Sequence, residues 1–210
     1  MKMRITYLTG IFWMATAASA TLLYSTNDAN DNEFGTPCGS PLTYSCLNAN
    51  PIGPAEGFTA MSESFSPAVT ALLGQIEVPV DAISGTGNLV VEITSDGGGV
   101  PGPTIEESLS AAAPGTASLV TLTSALHPTL TAGTTYWVVV TTSGTLNINW
   151  FVASDLNLRN ADFFSSGTWN PSSSSTKGSV EIDGLAPEPS SVALAAMGIA
   201  FVLIRAMRRR

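Results

Sequence analysis

Short apolar runs separated by turn residues fill the chain from Gly57 to about residue 185, and this pattern constrains the fold more than any other feature. Typical runs are "NLVVEITS", "TYWVVVTT" and "TLNINWFVAS", each rich in β-branched and aromatic residues and bounded by Gly, Asn, Asp or Pro. Between residues 21 and 186 no stretch has the 3.6-residue period of an amphipathic helix. We therefore predict an all-β domain, an antiparallel β-sandwich that is jelly-roll-like.

Alternation within the runs predicts which side chains share a face, because successive residues of a strand point to opposite sides of its sheet. The run "TYWVVVTT" is almost continuously apolar, as in a strand that is buried on both faces. The residues predicted to share one face are Leu72, Ile76, Val78 and Val80 in one strand, and Leu89, Val91 and Ile93 in another.

Charge is sparse and unevenly distributed. The chain is 44% hydrophobic and 11% charged, and its net charge is -8. Between residues 21 and 186 the basic residues are Arg159 and Lys177, whereas 15 of the 16 acidic residues lie there. Because contacts with phosphate need Lys and Arg, this acidic body argues against nucleic acid as a partner.

The first 20 residues have the three parts of a secretory signal peptide. Lys2 and Arg4 precede an apolar core, and Ala18 and Ala20 form an A-x-A cleavage site. We predict an N-terminal signal helix that engages the secretion machinery and is removed by signal peptidase, which leaves Thr21 as the first mature residue.

Residues 21–56 form a polar, loop-rich segment that contains both cysteines of the chain. Cys38 and Cys46 lie eight positions apart. Outside the cytoplasm such a close pair is expected to form a disulfide, and the partner ligands of a zinc site are missing nearby.

The segment "DANDN", residues 28–32, resembles the beginning of a calcium loop but departs from it afterwards. Glu33 stands where an EF-hand loop has Gly, and Gly39 stands where it has the bidentate Glu. We assign no metal ligands and no cofactor, although a structural Ca²⁺ with irregular oxygen ligands stays open.

No catalytic set is evident, so we predict a protein that is not an enzyme. His127 precedes Pro128 as in a turn, and no G-x-S-x-G elbow supplies a serine for it. Glu106 and Glu107 are adjacent on a strand and must point to opposite faces, so they are not a glycosidase pair. We expect both carboxylates to be solvated.

The tryptophans divide into two groups by their surroundings. Trp137 and Trp150 lie within strand runs, which favours packing in the protein interior. Trp169 lies in "SSGTWNPSSSS", which reads as a loop, and an exposed aromatic ring can stack on a sugar. Trp169 is therefore the candidate ligand contact.

The C-terminal segment has an apolar run from Val192 to Ile204, followed by basic residues. Its 13 residues span ~20 Å as a helix, which is short for a bilayer. Because Arg205 can snorkel and Ala206 and Met207 extend the run, we predict a C-terminal transmembrane helix, and the positive-inside rule places the body outside the cytoplasm. The predicted cytoplasmic basic stop consists of Arg205, Arg208, Arg209 and Arg210.

Pro187, Glu188 and Pro189 stand immediately before this helix and basic tail, and residues 186–210 together resemble the PEP-CTERM sorting signal. The resemblance implies processing by an exosortase, a membrane-embedded enzyme, at or near this motif. It also implies a Gram-negative bacterium, anchoring in the inner membrane before processing, and then a place at the cell surface or in the exopolysaccharide matrix of a biofilm.

The body shows a second resemblance over about residues 57–170. The segments "VEITSDGGGVPGPTI", "LTAGTTYWVVVTT" and "NWFVASD" are similar to the choice-of-anchor domains, type R above all. This resemblance implies a β-rich module and no particular activity, and the strand pattern predicts that the β-sandwich domain spans residues 57–185.

These observations predict an exported, non-enzymatic surface or matrix protein that an exosortase processes. The alternative is a carbohydrate-binding module that recognises the exopolysaccharide. A glycan hydrolase is a third class, and it requires two convergent carboxylates in a cleft.

Overall fold

The computed structural model describes residues 20–26, 49–151, 161–171 and 178–185, which all belong to one compact unit, Ala20–Leu185. The described residues form thirteen strands and no helix. In chain order the strands are β1 Thr21–Ser25, β2 Ala49–Ile52, β3 Ala60–Phe65, β4 Ala71–Ser84, β5 Leu89–Asp96, β6 Pro101–Ala111, β7 Ser118–Thr123, β8 Thr129–Leu130, β9 Tyr136–Thr142, β10 Asn147–Phe151, β11 Ala161–Ser165, β12 Thr168–Pro171 and β13 Glu181–Gly184.

The strands form two antiparallel sheets. The first sheet has the order β1-β13-β4-β10-β2, and β7 and β8 also pair with β4. The second sheet has the order β12-β11-β3-β9-β5-β6. Both β13 and β7 pair with residues 75–77 of β4, so these two strands flank β4 on opposite edges.

One apolar core between the sheets makes the fold a β-sandwich, which confirms the predicted all-β class. Strand β4 contributes Ile76, Val78 and Val80 from the first sheet, and β5 contributes a matching row from the second sheet. The completely buried core residues of β5, β9, β10 and β13 include Leu89, Val91, Ile93, Val138, Val140, Ile148, Trp150 and Ile182.

The predicted faces of β5 and β9 are confirmed. Leu89, Val91 and Ile93 all point into the core, as their spacing indicates. In β9, which lies between β3 and β5, residues 136–140 are buried without interruption, so side chains on both faces of this strand are shielded from solvent.

The predicted face of Leu72 is wrong, and a β-bulge in β4 is the reason. Asp183 of β13 pairs with Gln75, whereas the next residue, Gly184, pairs with Leu73. The extra residue in β4 is Gly74, and it shifts the side-chain alternation by one position. Leu73 therefore occupies the core, and Leu72 is exposed.

Gly74 suits this bulge because the neighbouring strand is close. A Cβ atom at this position would lie 3.0 Å from the carbonyl carbon of Gly184. A side chain there would push β13 away from β4, so the close approach of the two backbones favours glycine.

The sandwich also includes strands from the segment that we expected to be loop-rich. Strand β1 pairs with β13, and β2 pairs with β10. Cys38 and Cys46, together with "DANDN", lie outside the described residues, so the predicted disulfide stays a prediction.

Candidate functional site

The candidate ligand residue Trp169 lies in a strand, which corrects the prediction that it lies in a loop. Strands β11 and β12 form a hairpin, and its turn consists of Ser166 and Gly167, with φ of 52° and 83°. Two positive φ angles in a two-residue loop match the twist of a hairpin, and glycine takes the second at no steric cost. Backbone pairing with β11 therefore gives Trp169 a fixed place at the edge of the second sheet.

Phe164 supports the ring of Trp169. The two residues are directly opposite in the hairpin, and their ring centroids are 5.2 Å apart with planes at 61°. This edge-to-face contact is a favourable aromatic geometry. Both side chains are partly exposed. The site therefore offers an oriented but incompletely covered aromatic surface, of the kind on which a sugar ring can stack.

The other two strand tryptophans are buried, as predicted. Trp150 belongs to the core, and its indole N–H donates to the carbonyl oxygen of Ser179 at 2.9 Å. Trp137 is equally buried but points to the opposite side of β9 from Val138 and Val140. Its indole N–H is also satisfied, so neither ring has a polar group left for a ligand.

Asp96 is the hydrogen-bond partner of Trp137, at 2.9 Å. The same carboxylate accepts from the backbone N–H groups of Gly98 and Gly99, which fixes the "SDGGG" turn between β5 and β6. The indole and amide donors hold the pKa of Asp96 below its ordinary value, because they favour the charged form. This exposed carboxylate therefore has a structural role in the turn.

Glu107 is buried, which corrects the expectation that it is a solvated strand charge. Its side chain leaves β6 toward the connection between β7 and β8, where Ser124 donates its hydroxyl to the carboxylate. The backbone N–H groups of Ala125 and Leu126 donate to the other carboxylate oxygen at 2.7 Å and 3.0 Å. Glu107 thus joins the second sheet to a turn of the first.

Burial alone would raise the pKa of Glu107, but the other influences outweigh it. The hydrogen bonds from Ser124, Leu126 and Ala125 stabilise the carboxylate, and His127 adds a favourable charge interaction. The pKa of Glu107 is therefore held below its ordinary value, and a general acid would need the opposite direction at neutral pH.

His127 lies in the connection after β7, in agreement with the predicted turn. Its φ is 49°, its backbone N–H donates to the hydroxyl of Ser124 at 2.9 Å, and its Nδ1 lies 2.9 Å from the carbonyl oxygen of Leu73. Glu106 points to the face of β6 opposite Glu107, as the alternation predicts, and is partly exposed. The adjacent carboxylates therefore do not converge.

A second buried carboxylate, Glu63, escaped the sequence analysis. It is completely buried on β3, and the hydroxyl of Tyr24 donates to its Oε1 at 2.7 Å. The alternation in "AMSESF" could have predicted its burial, because Glu63 is two residues from each of the core residues Met61 and Phe65 and therefore points to the same face of β3. This contact ties β1 of the first sheet to β3 of the second.

The remaining predicted positions lie at or beyond the ends of the described domain. Ala20 is the first described residue, and Ala18 lies outside the described residues. So do the sorting motif Pro187, Glu188 and Pro189 and the basic stop Arg205, Arg208, Arg209 and Arg210. Within the described ranges, no helix is long and apolar enough to cross a membrane.

Among the residues that the structure describes, no group of three His, Cys, Asp or Glu side chains is close enough to hold a metal ion.

No family model matches the chain, and no curated protein is significantly similar to it.

Proposed function

We propose that this chain is an exported, non-enzymatic protein of the cell surface or extracellular matrix, sorted and processed by an exosortase. The observation that carries the proposal is where the described strands begin and end. Strand β1 begins at Thr21, immediately after the predicted signal cleavage site, and β13 ends at Gly184, three residues before the Pro-Glu-Pro motif. The folded domain thus occupies the interval between the two predicted processing points.

The pairing of the terminal strands supports the same proposal. Strands β1 and β13 are neighbours, with Thr21 opposite Gly184. All strands in the described residues therefore lie between the predicted cleavage after Ala20 and the predicted cleavage near the motif. A mature chain cut at both points would keep all thirteen strands.

We also propose that the sandwich is jelly-roll-like and is flanked by a signal helix and a transmembrane helix. The repeated passage of the chain between the sheets, as from β2 to β3 and from β3 to β4, is typical of such double-sheet folds. The flanking helices rest on the sequence pattern of residues 1–20 and 186–210.

A non-enzymatic role accords with the condition of the buried carboxylates. Glu107 is held by three donors of a turn, and Glu63 accepts from Tyr24. Both side chains connect the two sheets through hydrogen bonds, so their contacts are those of residues that stabilise the fold.

The test is the mass and location of the protein in cells with and without the exosortase. With the enzyme we expect a mature chain that begins at Thr21 and lacks the tail. Without it we expect the tail intact and the protein in the inner membrane. The variant Glu188→Ala should reproduce the second state, and Ser191→Ala, in the same linker but outside the motif, should process normally. An intact tail in normal cells would contradict the proposal.

The second candidate is a carbohydrate-binding module that recognises the exopolysaccharide. The observation that favours it is Trp169, partly exposed and held edge-to-face by Phe164. Affinity electrophoresis through a gel that contains the exopolysaccharide would show retardation of the wild type and less retardation of Trp169→Ala. The matched control is Thr168→Ala, which removes an exposed side chain from the same strand. Equal mobility with and without polysaccharide would remove this candidate.

A further inference from the structure

Four exposed leucines lie at one end of the first sheet. Leu22 is on β1, Leu72 is on β4, Leu185 follows β13, and Leu126 is in the connection between β7 and β8. Their exposed fractions are 54%, 44%, 39% and 73%, in that order. We refer to these four residues as the leucine rim.

The strand registers make three members of the rim neighbours. Leu22 pairs with Asp183, and Leu185 comes two residues after Asp183, so Leu22 and Leu185 are diagonal neighbours on one face. The backbone N–H of Leu185 donates to the carbonyl oxygen of Leu72 at 2.9 Å, which brings Leu72 to its other side. The bulge at Gly74 is what turns Leu72 outward to join them.

Leu126 extends the rim beyond β4. Leu72 pairs with Thr129 of β8, and the turn that carries Leu126 immediately precedes that strand. Two contacts hold this turn in place: the backbone N–H of Leu126 donates to Glu107, and the ring of His127 contacts the carbonyl oxygen of Leu73. The most exposed leucine of the rim therefore projects from a fixed turn.

The position at which the chain leaves the domain indicates what covers the leucine rim. Leu185 belongs to the rim and is the last described residue. Six residues, 186–191, separate it from the apolar run that begins at Val192. Six extended residues reach ~20 Å, so a tail inserted in a bilayer keeps this end of the domain close to the membrane surface.

We propose that the leucine rim docks on the surface of the lipid bilayer that holds the tail, before processing. This inference rests on the proposed function, since the tether is the predicted membrane segment. Exposed leucines enter the interfacial region of a bilayer, and tethering replaces most of the intrinsic affinity that they lack. Docking places the linker 186–191 beside the membrane, where a membrane-embedded exosortase acts.

Acidic side chains near the leucine rim indicate which lipid headgroups the rim would favour. Asp183 lies beside Leu22, and Glu77 and Glu181 follow on the same face. These carboxylates are repelled by anionic headgroups, so the rim fits a zwitterionic surface best. Docking should weaken when anionic lipid replaces phosphatidylcholine, and added salt should restore part of it.

The test uses the chain from Thr21 to Arg210, which keeps the tail and lacks the predicted signal segment, reconstituted in phosphatidylcholine vesicles with or without brominated acyl chains. The probe is Leu72→Trp, and the control is Ile83→Trp, because both positions are on β4 and both are 44% exposed. The positions are eleven residues apart, or ~36 Å along the strand. Bromine should quench the fluorescence added by Leu72→Trp and leave that added by Ile83→Trp unchanged. Equal fluorescence of Leu72→Trp in the two kinds of vesicle would overturn the docking.

Flotation of the same samples separates the two proposals. If the wild type and both variants float with the vesicles but Leu72→Trp is not quenched, docking fails and the membrane tail stands. If the chain from Thr21 to Arg210 does not float, the predicted membrane tail is contradicted, and docking is contradicted with it. A concentration-dependent blue shift of Leu72→Trp without quenching, accompanied by a cross-linked dimer, would assign the rim to a second copy of the chain. Matching circular dichroism spectra verify that each variant is folded.

Discussion

Two buried carboxylates join the sheets of this sandwich, and their side chains reach partners that are distant in the sequence. Glu107 accepts from Ser124, Ala125 and Leu126, and Glu63 accepts from Tyr24, 39 positions away. A buried charge is tolerated when donors replace the lost water, and Glu107 meets this condition with three donors from the turn between β7 and β8.

Replacing Glu107 should therefore destabilise the protein strongly. We expect Glu107→Ala to lower the free energy of unfolding by about 3 kcal/mol, because it leaves buried donors of the turn without an acceptor. Glu106→Ala, one residue earlier on the opposite face, should change it by less than about 0.5 kcal/mol. Urea unfolding measures both. Equal losses in the two variants would contradict the structural role of Glu107.

Acid should weaken the same contact. The pKa of Glu107 in the folded protein lies below its ordinary value of 4.5, so its contribution to stability is complete above that value. The contribution is lost as the pH falls through the lowered pKa of the folded state. Urea midpoints between about pH 7 and pH 3 should fall less steeply in Glu107→Gln than in wild type. An unchanged slope in Glu107→Gln, with Glu106→Gln as reference, would assign the acid sensitivity to other groups such as Asp96.

At the scale of elements, the contact between β10 and the backbone before β13 depends on a residue without a side chain. Trp150 is completely buried, and a Cβ atom at Gly178 would lie 2.0 Å from Cε2 of its indole. The backbone at Gly178 therefore forms part of the wall of the tryptophan pocket, and the indole N–H is satisfied one residue later, at Ser179.

Gly178→Ala should consequently cost stability. We expect a loss of about 3 kcal/mol, because the buried indole must move from its pocket and loses its hydrogen bond. Gly115→Ala is the matched control, since no atom lies within 4 Å of its Cβ position, and it should be neutral or slightly stabilising. Near-ultraviolet circular dichroism and urea unfolding are the measurements. A neutral Gly178→Ala would show that Trp150 packs elsewhere.

The bulge in β4 shows how one element affects a surface. A regular strand would place Leu72 inward with Ile76, and the extra residue at Gly74 exchanges the positions of Leu72 and Leu73. Leu73 fills the core position, and Leu72 lies on the outer face. This is the end of the domain from which the chain continues toward the predicted tail.

At the scale of the whole molecule, the exposed face of the first sheet carries like charges close together. Glu77 pairs directly with Glu181 across β4 and β13, and Asp183 follows two residues later. Like charges opposite each other destabilise a sheet, although Gln75 and Thr121 donate to Glu77 and moderate the effect.

Salt should therefore stabilise the protein. We expect the free energy of unfolding to rise by about 1 kcal/mol between roughly 0.05 M and 0.5 M NaCl, because counterions screen the repulsion within the acidic body. Glu77→Gln should reduce this dependence, and Glu92→Gln, on the second sheet, is the comparison. A stability that falls with salt would mean that attractive charge pairs dominate instead.

Most of the strand pattern was predictable, because a strand signals itself through local alternation and turn residues. Leu89, Val91 and Ile93 follow the alternation, and the uninterrupted run of β9 marks a strand covered on both faces. The place of Trp169 was not predictable in the same way. Its strand is four residues long and depends on pairing with β11, and local composition resembles that of a loop.

The all-β class, the acidic body and the alternation of the core strands were predictable from the amino-acid sequence, because they follow from residue type and spacing along the chain. The folded structure was needed to show which side of β4 Leu72 occupies, that Ser124 donates to a buried Glu107, and that Phe164 supports Trp169. Each of these depends on a partner strand or turn at another place in the chain. Local periodicity does not indicate which segments pair with each other. The contacts between paired segments form, and stabilise the protein, only in the folded chain.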